Sequence, residues 1–284
     1  MPFSDNATIR RAVSMMIDEI VSSHVRWRGA FDHADGRVTL LTVNWNTEVL
    51  VDRLLRSFRR FYDADLPVVV VDNSPQNGGR ARFRAEGARC ITSGVNLGHG
   101  LGLDLGMRYV ETEYTLVCDP DTVILSPRFR TEIESRLEKF GVAAADTGNA
   151  YYHPLCVAFR TEHWKWGAIS LQEMFPYWDV GGALTNLLGG VQHDALIPKS
   201  RYFGSPLPAA LGGHDEHFLG EVYDDVFSST YLAARVQAEP DRVEFDGWPR
   251  DVAVRFHRVW GDWAERVLSG RATVDDFPDD EVAF

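Results

Sequence analysis

Between residues 37 and 121, short apolar runs alternate with stretches of helical spacing, and most of the runs end on a polar side chain. The runs are "RVTLLTVN" (37–44), "PVVVVD" (67–72), "ARCITS" (88–93) and "YTLVCD" (114–119). Nearly continuous β-branched runs of this length predict strands covered on both faces. After the first, Leu50, Leu54, Leu55 and Phe58 fall at helical spacing, with Thr47 placed to cap the helix. The second is followed by the turn-rich "NSPQNGG". The third is followed by "GVNLGHGLGLDLGMRYV" (94–110), a glycine-rich loop running into a helix. This repeated alternation is the βαβ signature and predicts an α/β fold: a Rossmann-like, mostly parallel sheet flanked by helices. Ligands of such sheets bind beyond the carboxyl ends of the strands. Asn44, Asp72 and Asp119 stand at those ends and are expected to converge on one crevice.

Outside this region the pattern loosens. Residues 8–28 have the spacing of an amphipathic helix, which makes 1–36 an N-terminal helical extension. Downstream, "PRFRTEIESRLEKF" predicts a helix, "GVAAAD" and "HPLCVAFR" (153–160) strands, and "WDVGGALTNLL" (178–188) a helix with Asp179 near its start. Residues 190–245 are rich in Pro, Gly and aromatics, with no readable order. Residues 251–270 predict a helix, and the acidic "DDFPDDEVAF" after it a mobile tail. The chain reads as one continuous domain in four stretches: 1–36, 37–125, 126–250 and 251–284.

Charge and cysteine content narrow the partners. Twenty-nine Lys and Arg against 41 Asp and Glu give a net charge of −12, which opposes nucleic-acid binding because a phosphate backbone demands a basic footprint. A phosphorylated small substrate stays compatible, since one bound cation offsets the global field. Three cysteines without a CxxC pair fit buried thiols in a reducing compartment. No run is long and apolar enough for a signal peptide or a membrane span, so a cytoplasmic protein is expected.

Asp119 and Asp121, in "DPDTVI", could be a solvated turn, for which Asp and Pro are favoured. They could also share a hard divalent cation, Mg²⁺ or Mn²⁺, whose remaining shell is filled by diphosphate and water. Asp72 either starts a turn or accepts hydrogen bonds from a base or ribose. Gly98, Gly100, Gly102 and Gly106 match a dinucleotide fingerprint only superficially, because they follow the third strand and not the first. A loop that brings backbone close to a diphosphate, or a tight strand-to-helix turn, accounts for them equally well.

Taken in order, "VNWN", "VDNS", "NLGHG" and "DPD" resemble the nucleotide-sugar-binding half of family 2 glycosyltransferases, which have the GT-A fold. The resemblance covers residues 37–125. It implies a donor of the UDP, GDP or dTDP-sugar type, a hydroxyl-bearing acceptor, and a less regular acceptor-binding half over 126–250. Asp72 would contact the donor base, and Val43, Asn44 and Asn46 would line the nucleotide pocket. Asn96, Gly98 and Gly100 would lie beside the donor, Asp121 would bind the metal directly, and Asp119 would contact ribose or metal. The family mostly inverts, with one carboxylate from the second half as base. Asp179 fits that role, although Asp at a helix start is most often a cap; Asp215 and Glu216 are its rivals. A late histidine often completes the metal shell, and His214, His217 and His257 are candidates. Aromatics such as Trp164, Trp166, Tyr177, Trp178, Tyr202 and Phe203 could stack on an acceptor sugar, though aromatics more commonly build core.

Two other classes compete. A sugar nucleotidyltransferase would carry an Arg/Lys-containing glycine loop after its first strand, which "VNWNTE" lacks. A non-catalytic binding module is opposed by the intact Asp72, Asp119 and Asp121.

Overall fold

The computed structural model describes residues 37–75, 79–167, 170–172, 180–203, 218–230, 232–245 and 247–282. The expected helix over 8–28 lies outside them. The βαβ pattern is present as read. Strand β1 (Val38–Asn44) leads to helix α1 (Glu48–Phe61), then β2 (Val68–Asp72), α2 (Arg80–Ala85), β3 (Arg89–Thr92), α3 (His99–Met107) and β4 (Tyr114–Cys118). These strands pair in parallel in the order β3-β2-β1-β4.

Further strands extend this sheet past β4. Helix α4 (Arg128–Phe140) ends on Gly141 in the left-handed region and turns into β6 (Val142–Ala145). Strand β7 (Cys156–Arg160) runs antiparallel between β4 and β6, and β8 (Leu196–Ile197) closes the far edge, for seven strands in all. The strand expected over 153–160 begins only at Cys156. Thr161–Gly167 forms α5 and Gly182–Leu187 forms α6. Both faces of the sheet are apolar: α1 and α4 cover one, while α3 and α6 cover the other.

The unreadable stretch contains a second sheet. Strand β5 (Thr122–Ile124) pairs with β11 (Phe227–Thr230), which continues through β10 (Gly220–Tyr223) to β9 (Lys199–Phe203), all antiparallel. Helix α7 (Ala233–Ala238), a small β12–β13 ribbon (Glu244–Phe245 and Trp248–Pro249) and helix α8 (Arg250–Leu268) complete the chain. A third apolar cluster, rich in aromatics, lies between this sheet and α8. Ile124 N donates to Ser57 Oγ on α1 at 3.1 Å, tying the second sheet to the first layer.

The acidic terminus is not a loose tail. Two 3₁₀ turns (Val274–Asp276 and Asp279–Glu281) fold it back, Phe277 stacks on Phe203 with ring centroids 3.9 Å apart, and Arg201 pairs with Asp275 and Asp279. The charge run hid Phe277 and Val282, which are both buried. Among the described residues no helix is long and apolar enough to cross a membrane.

Candidate functional site

The chain leaves the first sheet for the second through Asp119-Pro120-Asp121. Strand β4 ends at Cys118 and β5 begins at Thr122, so the two acids occupy the crossing between the sheets. Thr122 N donates to Asp119 O at 3.1 Å, closing the turn, and Thr230 N donates to Asp121 O at 3.3 Å. The Asp121 side chain is 6% exposed and accepts from Ala234 N, near the start of α7, at 3.3 Å. Burial, and then the neighbouring Asp119 charge, push its pKa up to about 8. A buried carboxyl with a second carboxyl beside it is held at a cost that a divalent cation would offset.

Asp119 is more open, and its Oδ1 lies 3.3 Å from His99 Nε2 at the first residue of α3. That distance is within ion-pair reach, yet the alignment makes no hydrogen bond, and both atoms are shielded from water without another partner among the described residues. Across the second sheet Ser229 pairs with Thr122 and Thr230 N donates to Asp121 O, and the hydroxyls of both are buried without a partner among the described residues. Buried polar atoms are nearly always satisfied. The unsatisfied His99 Nε2 and Asp119 Oδ1 fit a bound charged group, and the donor set of two carboxylates suits a hard cation. Among the described residues, however, no three such side chains already converge on one point.

A second polar knot joins the ends of β1 and β2. Asn44 Nδ2 donates to Asp72 Oδ1 (2.9 Å) and Ser74 Oγ (3.0 Å), and Asn44 Oδ1 accepts from Thr47 N and Oγ1. Helix α1 is therefore capped by Asn44, while the Thr47 side chain caps nothing itself. Ser74 Oγ also accepts from Asn46 N (2.9 Å), holding Asn46 at φ +54°, a region Asn tolerates. Asn44 is thus spent on architecture, and Val43 packs in the core against α3. Asp72 is fully buried, with Oδ1 engaged by Asn44 and Ser74 N and Oδ2 unpartnered among the described residues. Of the three residues expected in one crevice, Asn44 and Asp72 touch each other, whereas Asp119 meets His99. The half-buried Trp45 and Asn46 follow β1 at its carboxyl end.

The glycine run serves packing at most of its positions. Gly98 has φ +81°, which suits glycine, and Asn96 Oδ1 accepts from its N–H at 2.9 Å. A Cβ on Gly106 would lie 2.3 Å from Leu41 Cδ1, and one on Gly100 would lie 2.5 Å from Leu171 O. Helix α3 can press this closely on β1 and on residues 171–172 only because those side chains are missing. Asp104 in the same helix accepts from Trp164 Nε1 and Leu171 N, both at 2.8 Å, and from Ser170 Oγ.

Asp179, Asp215, Glu216, His214, His217, Tyr177 and Trp178 lie outside the described residues. Helix α6 begins at Gly182 after a left-handed Gly181, so the start expected beside residue 179 falls later in the chain. His257, on α8, has both ring nitrogens buried without a partner among the described residues, and burial pushes its pKa down to about 3. Tyr202 stacks on Phe218, and Phe203 is core. Two residues were missed from sequence: His99, which faces Asp119, and Asp104, which ties α3 to residues 164 and 170–171. Both stand inside the glycine-rich run, where their glycine and asparagine neighbours drew the reading.

Residues 39–169 match the family model for "Glycosyl transferase family 2". This segment is similar to family 2 glycosyl transferases. It takes in less than half of the chain and extends the sequence-level resemblance past residue 125, through β6 and β7 to α5. No curated protein matches the chain by sequence. Among solved structures, the chain is similar to TarS 1-349 from S. aureus (18% identity, TM-score 0.39, 48% of this chain and 50% of that one). It is also similar to the mannosyltransferase PcManGT from Pyrobaculum calidifontis in complex with GDP-Man and Mn²⁺ (14%, TM-score 0.47, 93% and 83%). A third is glucosyl-3-phosphoglycerate synthase from Mycobacterium tuberculosis with Mn²⁺, UDP and its product (17%, TM-score 0.43, 57% and 69%). The chain spans about half the length of the first of these. The matched segment includes the expected donor-side residues and both acids, from Val43 to Asp121.

Proposed function

We propose that the chain is a metal-dependent, inverting glycosyltransferase that moves a sugar from a nucleoside-diphosphate sugar to a hydroxyl of a saccharide or other small acceptor. The observation that carries this reading is the Asp119-Pro120-Asp121 crossing at the carboxyl end of β4, inside the segment that matches the family 2 model, with the unsatisfied Asp119 Oδ1 and His99 Nε2 facing each other there. Asp121 and Asp119 would hold Mn²⁺ or Mg²⁺. Bound there, the cation would offset charge building on the departing diphosphate.

Residues 37–125 serve as the donor half and 126–250 as the acceptor half. The knot of Asn44, Asp72 and Ser74 fixes the pocket floor, Asp72 keeping one oxygen for the base, and Asn46 and Trp45 lie where the nucleoside would rest. Asn96, Gly98 and Gly100 shape the α3 end beside the donor. Asp179 is the proposed base that takes the acceptor proton during in-line displacement. Three free, buried cysteines fit a cytoplasmic site of action.

The test is donor turnover. Purified protein is incubated with UDP-, GDP- and dTDP-sugars and Mn²⁺, and release of the nucleoside diphosphate is followed with and without a mixture of saccharide acceptors. Release from one donor class that requires Mn²⁺ and rises with acceptor is expected. No release from any donor would contradict the reading. In Asp179→Asn donor binding should persist while transfer stops; full transfer would remove Asp179 as base.

A further inference from the structure

Among the described residues, an early histidine stands at Asp119. His99 opens α3, and its Nε2 faces Asp119 Oδ1 at 3.3 Å. In a settled ion pair those atoms would share an aligned hydrogen bond, but here neither has a partner and both are shielded from solvent. Two lone-pair donors that face each other without a proton aligned between them are placed to share a third body. The edge of an octahedron with metal–ligand bonds of about 2.1 Å is about 3 Å long. An imidazole nitrogen and a carboxylate oxygen 3.3 Å apart come close to that edge.

Among the described residues, no other histidine pairs with Asp119 or Asp121, and His257 sits with both nitrogens buried on α8. The backbone also prepares the position. Gly98 at φ +81° swings the chain into α3, and Asn73 Nδ2 donates to Gly98 O at 3.0 Å, pinning the turn that carries His99. No three ligands converge yet among the described residues, so Asp121 would have to turn from Ala234 N, a contact of 3.3 Å at the long end of hydrogen bonding.

We propose that His99 Nε2 is a protein ligand of the divalent cation at the Asp119–Asp121 corner, sharing one edge of its shell with Asp119 Oδ1. This rests on the glycosyltransferase reading above. A nitrogen ligand shifts selectivity, because Mg²⁺ prefers an all-oxygen shell while Mn²⁺ accepts imidazole more readily. The corner should therefore favour Mn²⁺ over Mg²⁺, and the preference should shrink without His99.

The deciding experiment is electron spin-echo spectroscopy of Mn²⁺ bound to the whole chain with UDP or GDP, in wild type, His99→Ala and His99→Gln. Mn²⁺ affinity is titrated alongside, and the melting temperature without metal checks folding. His99→Gln keeps a hydrogen-bond donor toward Asp119 but removes the imidazole. The expected result is a ¹⁴N coupling from directly bound imidazole in the wild type that disappears in both variants, with Mn²⁺ affinity down by at least about tenfold. Nucleotide-dependent Mn²⁺ binding without ¹⁴N coupling, or a coupling that survives in His99→Gln, would overturn the assignment of His99 and leave the transferase reading standing. No nucleotide-dependent Mn²⁺ binding by the wild type would overturn both.

Discussion

Two carboxylates and one amide organise the site at the scale of single residues. Asp121→Ala should abolish Mn²⁺-dependent binding of nucleoside diphosphate while the protein keeps its cooperative melt, because among the described residues the carboxylate bonds to another residue through one long contact, from Ala234 N. Calorimetric titration checks this, and unchanged binding would defeat the metal assignment. Asn44→Ala should behave in the opposite way. It strips two donors and an acceptor from a fully buried knot, leaving Thr47 and Asp72 short of partners. A loss of about 2–4 kcal/mol in stability is expected, measurable by urea unfolding. The sequence marked these residues as candidates without showing how the fold uses them. Asn44 was legible as a polar strand end, but nothing in "VNWN" says that its amide caps α1 in place of the Thr47 hydroxyl. Asp72 was legible as a strand-end acid, yet that one of its oxygens is spent on Asn44 depends on the register of β1 against β2.

The informative feature at the scale of elements is how closely α3 lies on the sheet. Gly106→Ala would place a methyl 2.3 Å from Leu41 Cδ1 and 3.0 Å from Val71 Cγ2. The helix must lift or Leu41 must change rotamer, costing about 1–3 kcal/mol in thermal or chemical unfolding. Moving α3 also moves His99, so nucleotide affinity should fall along with stability. Gly100→Ala should disturb the backbone of residues 171–172 instead, since the added methyl would meet Leu171 O and Gln172 Cα. The first four strands and their helices were readable because each is a local signal: a β-branched run or a helical period. The second sheet was not. Its strands are three to five residues long, come from distant parts of the chain, and begin with β5, three residues that read simply as the end of "DPDTVI". Pairing between residues 122 and 229 leaves no local trace.

Across the whole molecule, the two layers are held together by ionic contacts and aromatic packing. Glu265 on α8 accepts from Arg56 in a two-pronged pair (2.6 and 2.9 Å) and from Arg53 at 3.1 Å, both on α1. Its pKa is lowered to about 2, chiefly by the hydrogen bond from Arg56. The folded value lies below the ordinary carboxylate value of 4.5, so the unfolded chain binds the extra proton between these limits. The stabilisation is complete above about pH 4.5 and is lost as pH falls toward 2. Glu265→Gln should lower the melting temperature at pH 7 and flatten the acid side of the stability curve across that window. The C-terminal segment is the other brace. Phe277 covers Phe203 and Trp263, so Phe277→Ala should cost about 3–5 kcal/mol in chemical denaturation, as for a buried phenylalanine. The acidic composition concealed this brace because charge dominates the reading of "DDFPDDEVAF", while one aromatic facing a cluster of others decides its packing.

The most direct test of the central claim, that the Asp119–Asp121 corner holds a metal and a nucleoside diphosphate, is a thermal-shift screen. UDP, GDP, dTDP and CDP are each added with Mn²⁺ or with EDTA to the wild type and to Asp121→Ala. A ligand that binds only the folded state raises the melting temperature by mass action. The account predicts a rise for one nucleotide that needs Mn²⁺ and vanishes in Asp121→Ala. A wild type that no nucleotide stabilises, or a rise that EDTA and Asp121→Ala leave untouched, would contradict it.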